Sequence, residues 1–165
     1  MVSEIKNSQR VLPVCSAVVK DGYKYLLVQS GEKNYIGKWG LAGGKIDFSE
    51  TPSKAIEREV HEEAGLLIYN IGLFGIYCSM PLDAIWVINH AYRCDFLGQA
   101  KKSDGKEILN IGWFTYEELV GMAKNNELRT MDVLRVISDS RRGMIISGLD
   151  QVVNGVLDLG DVVNV

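Results

Sequence analysis

Three glutamates near the end of a predicted helix are the residues best suited to chemistry in this sequence. Glu59, Glu62 and Glu63 stand at i, i+3 and i+4, so at about 100° per residue they fall within a sector of roughly 100° on the helix surface. Carboxylates this close repel one another, and near a helix C-terminus they also oppose the helix dipole. A bound cation would relieve both effects, so the spacing predicts a cation site.

Oxygen ligands alone favour a hard cation such as Mg²⁺ or Mn²⁺, which typically keeps water ligands that phosphate oxygens can replace. Zinc would favour His or Cys ligands, and the two histidines, His61 and His90, do not make such a set. An acidic helix segment taken alone is more often solvated surface. The surrounding sequence therefore has to decide between the two interpretations.

The helix that carries these glutamates is predicted over residues 52–63. Thr51 suits its N-cap, Pro52 its first position and Gly65 a left-handed end. The apolar stripe that should face a sheet consists of Ile56, Val60 and Ala64. The carboxylates lie beside this stripe, next to the core.

The remaining sequence predicts strands in a mixed αβ domain. Asp21-Gly22 separates two β-rich runs and indicates an opening hairpin. After a loop at 31–38, the segment WGLAGG predicts a short strand that ends at Gly43-Gly44. Further strands are predicted from composition at 66–80, 84–96 and 108–114.

Two more helices are predicted after the last strand. Thr115 and Glu118 form a capping box for a helix that reaches about Lys124. Thr130 is the expected N-cap of a second helix, which Gly143 ends.

Length, net charge and cysteine content exclude several classes of protein. A length of 165 residues fits one domain, and a net charge of −3 leaves no basic surplus of the kind that binds a nucleic acid duplex. Cys15, Cys78 and Cys94 are an odd number in apolar runs, which is typical of free thiols in a reducing, cytoplasmic protein. No signal-peptide core and no uncharged apolar run of bilayer length is present in the sequence, so neither export nor membrane insertion is expected.

The stretch from Gly44 to Leu66 resembles a known motif. It is similar to the Nudix box, G-x5-E-x7-R-E-U-x-E-E-x-G-U with U aliphatic, at every specified position. The matching residues are Gly44, Glu50, Arg58, Glu59, Val60, Glu62, Glu63, Gly65 and Leu66. The hairpin, WGLAGG and the later IGWFTYEEL also look like this family, the MutT-like Nudix hydrolases, so the resemblance spans about residues 12–124.

The resemblance implies a Nudix fold, an α/β/α sandwich around a mixed, partly antiparallel sheet. It implies hydrolysis of a diphosphate bond in a nucleoside diphosphate linked to a group X, with Mg²⁺ as cofactor and Mn²⁺ as a substitute. The implied metal ligands are the carbonyl of Gly43 and the carboxylates of Glu59, Glu62 and Glu63. Gly44, Glu50 and Gly65 are supporting residues of the box, and the paired glycines would let the backbone approach ion and phosphate closely.

The catalytic residues expected from the resemblance are Glu59, Glu107 and Arg58. Magnesium would neutralise the phosphate oxygens and acidify a water that attacks phosphorus, and a carboxylate would accept the proton. Glu59 lies on the metal face, whereas Glu107 stands in the loop before the strand of Trp113, where many relatives carry a mobile glutamate. The sequence leaves this choice open. Arg58 is expected to hold a neighbouring carboxylate in one orientation.

The substrate is left open between a nucleoside triphosphate and a nucleotide sugar such as ADP-ribose. Pro81 lies fifteen residues past Leu66, a spacing associated in this family with ADP-ribose hydrolysis, but a turn between two strands is the favoured explanation. Relatives commonly have a proline where this chain has Ala42, so we expect altered loop mobility. Four aromatic residues are candidates for base stacking, although strand aromatics more often belong to a core: Tyr35, Tyr77, Trp86 and Tyr92.

A second function class is a regulatory module that senses a nucleotide without turnover, although such modules usually have eroded box carboxylates. The predicted organisation is an N-terminal extension at 1–11, a Nudix hydrolase domain at 12–143 and a C-terminal tail at 144–165 whose structure is not assigned. The expected partner is a nucleotide, with no duplex nucleic acid and no membrane. The apolar tail and the long strands would also suit a homodimer.

Overall fold

The computed structural model of the chain describes residues 10–82, 85–102 and 106–143. Its strands are β1 (Arg10–Asp21), β2 (Lys24–Ser30), β3 (Trp39–Gly40), β4 (Leu67–Leu82), β5 (Ile85–Leu97) and β6 (Ile108–Thr115). Its helices are α1 (Pro52–Ala64), α2 (Tyr116–Lys124) and α3 (Asp132–Arg141). Residues 1–9 of the predicted extension and the predicted tail at 144–165 lie outside the described residues.

The described strands form one mixed six-stranded sheet. Its order is β3-β2-β1-β5-β4, and β6 pairs with β2. Strands β1 and β5 run parallel from the pair Arg10↔Ile85 to the pair Val19↔Cys94, while the other strand pairs are antiparallel. The predicted mixed, partly antiparallel sheet is confirmed, and so is the opening hairpin between β1 and β2.

After β3 the chain changes its pairing partner from β2 to β1. Strand β3 ends at Gly40, whereas residues 42–46 lie along β1, where Cys15 N donates to Gly44 O at 2.9 Å. The prediction of a single strand continuing to Gly44 is therefore wrong, because the chain crosses to a new partner after Gly40. This crossing places Gly43 and Gly44 beside the middle of β1.

Helices cover both faces of the sheet. Along β1, Cys15, Ala17 and Val19 belong to a buried cluster that includes Ile56 of α1. The intervening Val18 belongs to a second buried cluster, which it shares with residues of α2 and α3. This alternation follows from the two-residue period of a strand and confirms the predicted α/β/α sandwich.

Most predicted helix ends are confirmed. The Thr51 side chain accepts a hydrogen bond from Lys54 N at 3.3 Å, and Gly65 ends α1 at φ 67°. Thr115 and Glu118 form the predicted capping box of α2. Within the described residues, no helix has both the length and the apolar character needed to cross a bilayer.

The predicted N-cap of α3 is wrong. Met131 occupies the cap position in a helical conformation and makes no side-chain capping bond. Val133 N donates instead to the carbonyl oxygen of Thr130 at 3.3 Å. The carbonyl oxygen of Thr130 thus accepts the hydrogen bond from the first turn of α3 that its hydroxyl was expected to accept.

The cysteines are free thiols, as predicted. Cys15 and Cys94 are buried, and Cys78 is half-buried. Burial raises the pKa of Cys15 to about 11 and that of Cys94 to about 12. Both therefore behave as small apolar core residues.

Candidate active site

The glycine pair, Gly43 and Gly44, brings the backbone into contact with two carboxylates of α1. Gly43 N donates to Glu63 Oε2 at 2.8 Å. Gly43 adopts φ 145°, and a Cβ there would lie 2.1 Å from Cys15 O, so only glycine fits. A Cβ at Gly44 would lie between 2.5 and 2.7 Å from the Glu59 carboxylate. The absence of side chains at both positions therefore lets α1 approach β1 with its acidic residues.

Arg58 connects the acidic residues to one another. Its Nε and Nη2 donate to the two oxygens of Glu50 at 3.2 and 2.7 Å. Its Nη1 donates to Glu59 Oε1 at 2.8 Å and to Glu62 Oε2 at 3.2 Å. A bond from Nη2 to Lys45 O at 3.1 Å completes the network. Bidentate pairing with Glu50 fixes the guanidinium plane, which in turn orients Glu59.

The three helix carboxylates differ in environment. Burial raises the pKa of Glu59 and raises that of Glu63 to about 8, whereas 58% of the Glu62 side chain is exposed. Hydrogen bonds from Arg58 lower the pKa of Glu50. In this site Glu59 and Glu63 thus carry the main desolvation cost, which a cation would offset.

Arg129 and Glu32 bring further charges to Glu63, and sequence reasoning missed both. Arg129 forms an ion pair with Glu32, and its guanidinium carbon lies 4.7 Å from the centroid of the Tyr35 ring. Burial is the main cause of the raised pKa of Glu63, while Arg129 lowers this pKa and Glu32 raises it. Arg129 N donates to Trp39 O at 2.7 Å. Only this pairing of distant segments brings Arg129 to the site, so no local sequence signal could have identified it.

Glu107, the other expected base, lies apart from the helix carboxylates. Its carbonyl oxygen accepts a hydrogen bond from Gly31 N at 2.7 Å, and the residue is exposed. Within the described residues its carboxylate forms no hydrogen bond or ion pair with α1. The structure therefore gathers Glu59, Glu62 and Glu63 around Arg58 and the glycine pair, and leaves the Glu107 side chain outside this group.

The aromatic residues considered for stacking have different environments. Tyr92 is buried in the core beneath α1. The Tyr77 hydroxyl donates to Asp139 Oδ2 at 3.0 Å. Trp86 is half-buried on β5, and Tyr35 packs against an arginine. Tyr92 is therefore a core residue, as the sequence favoured.

The carboxylate oxygens of the acidic residues are suitable ligands for a divalent cation, but in this structure they do not converge on one point. Among the described residues, no group of three or more His, Cys, Asp or Glu side chains is spaced as a metal site. Arg58 engages Glu59 and Glu62, and the Gly43 amide engages Glu63. The donor set consists of oxygens, and the absence of a Cβ at Gly44 lets the backbone lie directly against the Glu59 carboxylate. Such a set fits Mg²⁺ or Mn²⁺ rather than zinc.

Comparison with known proteins agrees with this geometry. The NUDIX domain family model matches residues 10–135, a span that includes the glycine pair, α1 and Arg129. The chain belongs to the Nudix hydrolase family. This membership confirms the resemblance found in the sequence. Enzymes of this family generally use a divalent metal and act on nucleotides.

Several Nudix relatives are similar over most of this chain. The NAD-capped RNA hydrolase NudC of Vibrio atlanticus is 26% identical over 136 residues, which are 82% of this chain and 49% of that protein. The ADP-ribose pyrophosphatase of Methanocaldococcus jannaschii is 28% identical over 119 residues, 72% of this chain and 70% of that protein. A NUDIX hydrolase structure from Nitrosomonas europaea has a TM-score of 0.73 at 25% identity and covers 84% of this chain and 93% of that chain. This chain spans 32% and 49% of the lengths of two curated relatives that it matches.

Proposed function

We propose that this Nudix protein is a Mg²⁺-dependent pyrophosphohydrolase that cleaves the diphosphate bond of a nucleoside diphosphate linked to X. The observation that carries the proposal is the contact between the glycine pair and α1, in which Gly43 N bonds Glu63 at 2.8 Å and Gly44 lies against Glu59. A merely solvated acidic helix needs neither contact. Largely buried carboxylates held against the backbone supply the oxygen ligands that a divalent cation prefers.

The residues that would hold the ion are Glu59, Glu62, Glu63 and the carbonyl of Gly43. Bound Mg²⁺, or Mn²⁺ in its place, would neutralise phosphate charge and acidify a water molecule. Arg58 would act as a positioning residue, because its guanidinium contacts Glu50, Glu59 and Glu62. Removing it would leave the carboxylates to repel one another without a fixed orientation.

Glu59 is the proposed base. One of its oxygens, Oε1, is held by Arg58 Nη1 at 2.8 Å, and burial raises the pKa of this carboxyl group, which makes it a better proton acceptor. Only 15% of its side chain is exposed. Glu107 is the second candidate, and its loop would have to move for its carboxylate to reach this group.

The proposed substrates are a nucleoside triphosphate or a nucleotide sugar such as ADP-ribose. The relative named ADP-ribose pyrophosphatase, of which the match covers 70%, supports a nucleotide sugar. An intact box supports catalysis over the alternative of nucleotide sensing without turnover.

The experiment is incubation with a nucleotide panel and Mg²⁺, followed by product identification. We expect turnover that both Glu62→Gln and Glu63→Gln abolish. Glu57→Gln is the matched control, because Glu57 lies on the same helix but pairs with Lys54 at 2.6 Å. Tight nucleotide binding without products would identify a sensor, and equal loss of activity in all three variants would point to a general effect of helix charge.

We also propose a cytoplasmic location and a homodimer. Three free thiols suit a reducing compartment. In the described sheet β4 is an edge strand, with Leu67, Tyr69 and Leu73 exposed, a surface that a second copy could cover. Light scattering of the wild type and Leu73→Lys would test the dimer, and an unchanged mass would exclude this edge as the interface.

A further inference from the structure

A polar pair of one buried and one half-buried residue lies on the sheet face opposite α1, and the proposed chemistry does not use it. Ser16 of β1 is 9% exposed, and Asn89 Nδ2 of β5 donates to Ser16 Oγ at 3.0 Å. Asn89 is in register with Val14. With the two-residue period of β1, Val14 and Ser16 share the face of Val18, which packs beneath α2 and α3. The pair therefore points into the layer between the sheet and these two helices.

The Asn89 side chain has an unused acceptor. Its Oδ1 is buried and has no hydrogen-bond partner among the described residues. Buried polar atoms without partners are rare and usually mark a ligand, a water or a functional role. Ser16 Oγ accepts from Asn89, so the hydroxyl proton of Ser16 is available for donation. The pair thus offers an acceptor next to a donor.

The polar pair adjoins the candidate active site through the backbone. A Cβ at Gly43 would lie 2.8 Å from Ser16 Cα, and Gly43 N holds Glu63 at 2.8 Å. One backbone segment therefore separates the carboxylates from the polar pair. Because residues 42–46 are hydrogen-bonded along β1, a ligand with its diphosphate at α1 would reach around this segment to place another part of itself on the pair.

More polar side chains continue the same layer toward α3. Tyr77 lies opposite Asn89 in the β4–β5 register, and its hydroxyl donates to Asp139 at 3.0 Å. Asp132, at the start of α3, is hydrogen-bonded to Ser79. A layer that served packing alone would favour apolar residues here. These polar pairs accompany Asn89 in a layer whose other buried residues are apolar.

We propose that Ser16 and Asn89 recognise the nucleobase of the substrate, with the exocyclic amino group of adenine or cytosine donating to Asn89 Oδ1. The inference rests on the proposed function, because it assigns the base of that nucleotide. A keto oxygen at the same position would face an acceptor instead of satisfying it. The pair therefore selects amino-bearing over keto-bearing bases.

Binding of nucleoside diphosphates by calorimetry, with a chelator to prevent turnover, tests this selection. ADP and IDP differ in the group at one ring position, as do CDP and UDP. We expect the wild type to bind the amino-bearing member of at least one pair roughly tenfold tighter or more. Asn89→Leu should remove this difference.

Ser16→Ala provides a second variant in case Asn89→Leu does not fold, and it should reduce the selectivity because Asn89 loses its anchor. Asn110→Leu is the matched control, since Asn110 is exposed on β6 and accepts only from Ile111 N at 2.9 Å. Equal binding of both members by the wild type, no binding of any of the four nucleotides, or a preference that survives in both variants would overturn the proposal. Hydrolysis of a nucleotide panel is scored separately: turnover without amino preference refutes base recognition alone, and amino preference without turnover refutes only the hydrolase.

Discussion

Replacing Gly44 by alanine should impair turnover much more than folding. Gly44 is not among the glycines with positive φ, so alanine meets no backbone strain there. The three nearest atoms to the new Cβ all belong to the Glu59 carboxylate, the closest at 2.5 Å. Restoring an ordinary contact of 3.4 Å requires this carboxylate to retreat by about 0.9 Å.

That displacement acts on the group proposed as the base. A misplacement of about 1 Å in a catalytic group can lower the rate roughly 100-fold, so we expect kcat/KM of Gly44→Ala to fall by about that factor. The Arg58–Glu59 hydrogen bond at 2.8 Å would also weaken. Since such a bond contributes on the order of 1–2 kcal/mol, Tm should drop by only a few degrees.

The assay is steady-state hydrolysis of the best substrate from the panel, together with calorimetric unfolding. Gly121→Ala is the control, because its Cβ would meet nothing within 4 Å and alanine is the better helix former. The double variant Gly44→Ala, Glu59→Gln should be no slower than Glu59→Gln alone, since both changes act on one group. Wild-type kcat/KM in folded Gly44→Ala, or fully additive losses in the double variant, would show that the new Cβ does not act through Glu59.

Three further outcomes are expected. Glu63→Gln should raise the Tm of the metal-free protein by about 2–4 °C, because the amide still accepts from Gly43 N without burying an ionisable group; calorimetry should show that Mg²⁺ stabilises the wild type but not this variant, and equal stabilisation would contradict the assignment. Glu59→Gln should lower kcat at least ~100-fold but Glu107→Gln less than ~10-fold, since the Glu107 carboxylate is exposed; the reverse ratio would make Glu107 the base. Thr115→Ala should lower the free energy of unfolding by about 1 kcal/mol, because Glu118 N loses its acceptor at 3.2 Å; urea unfolding would measure this, and a changed kcat would contradict a purely capping role.

Features that depend only on neighbouring residues could be predicted before the structure was known. Thr51 and Gly65 define the ends of α1 because capping is a local hydrogen-bonding and φ requirement. The one-sided placement of Glu59, Glu62 and Glu63 follows from helix periodicity alone. The Nudix box was recognisable for the same reason, since it records a continuous stretch of chain.

The predictions from local sequence were wrong where a backbone group could bond to either of two partners. Residues 42–46 pair with β1 and not with β2. At the start of α3, the backbone carbonyl of Thr130, not its side chain, accepts the hydrogen bond from Val133 N. Neither choice is encoded by propensity, because both alternatives satisfy the same local rules. The decision depends on which acceptors the folded chain brings near.

Only the tertiary structure made the carboxylates unequal. Burial against β1 separates Glu63, with its raised pKa, from the exposed Glu62, although both have the same chemistry and adjacent positions. Sheet pairing between distant segments likewise brings Arg129 to the site and Asn89 to Ser16. Desolvation and long-range contacts are properties of the assembled layers, so they determine which carboxylates are buried and which polar groups lie next to one another.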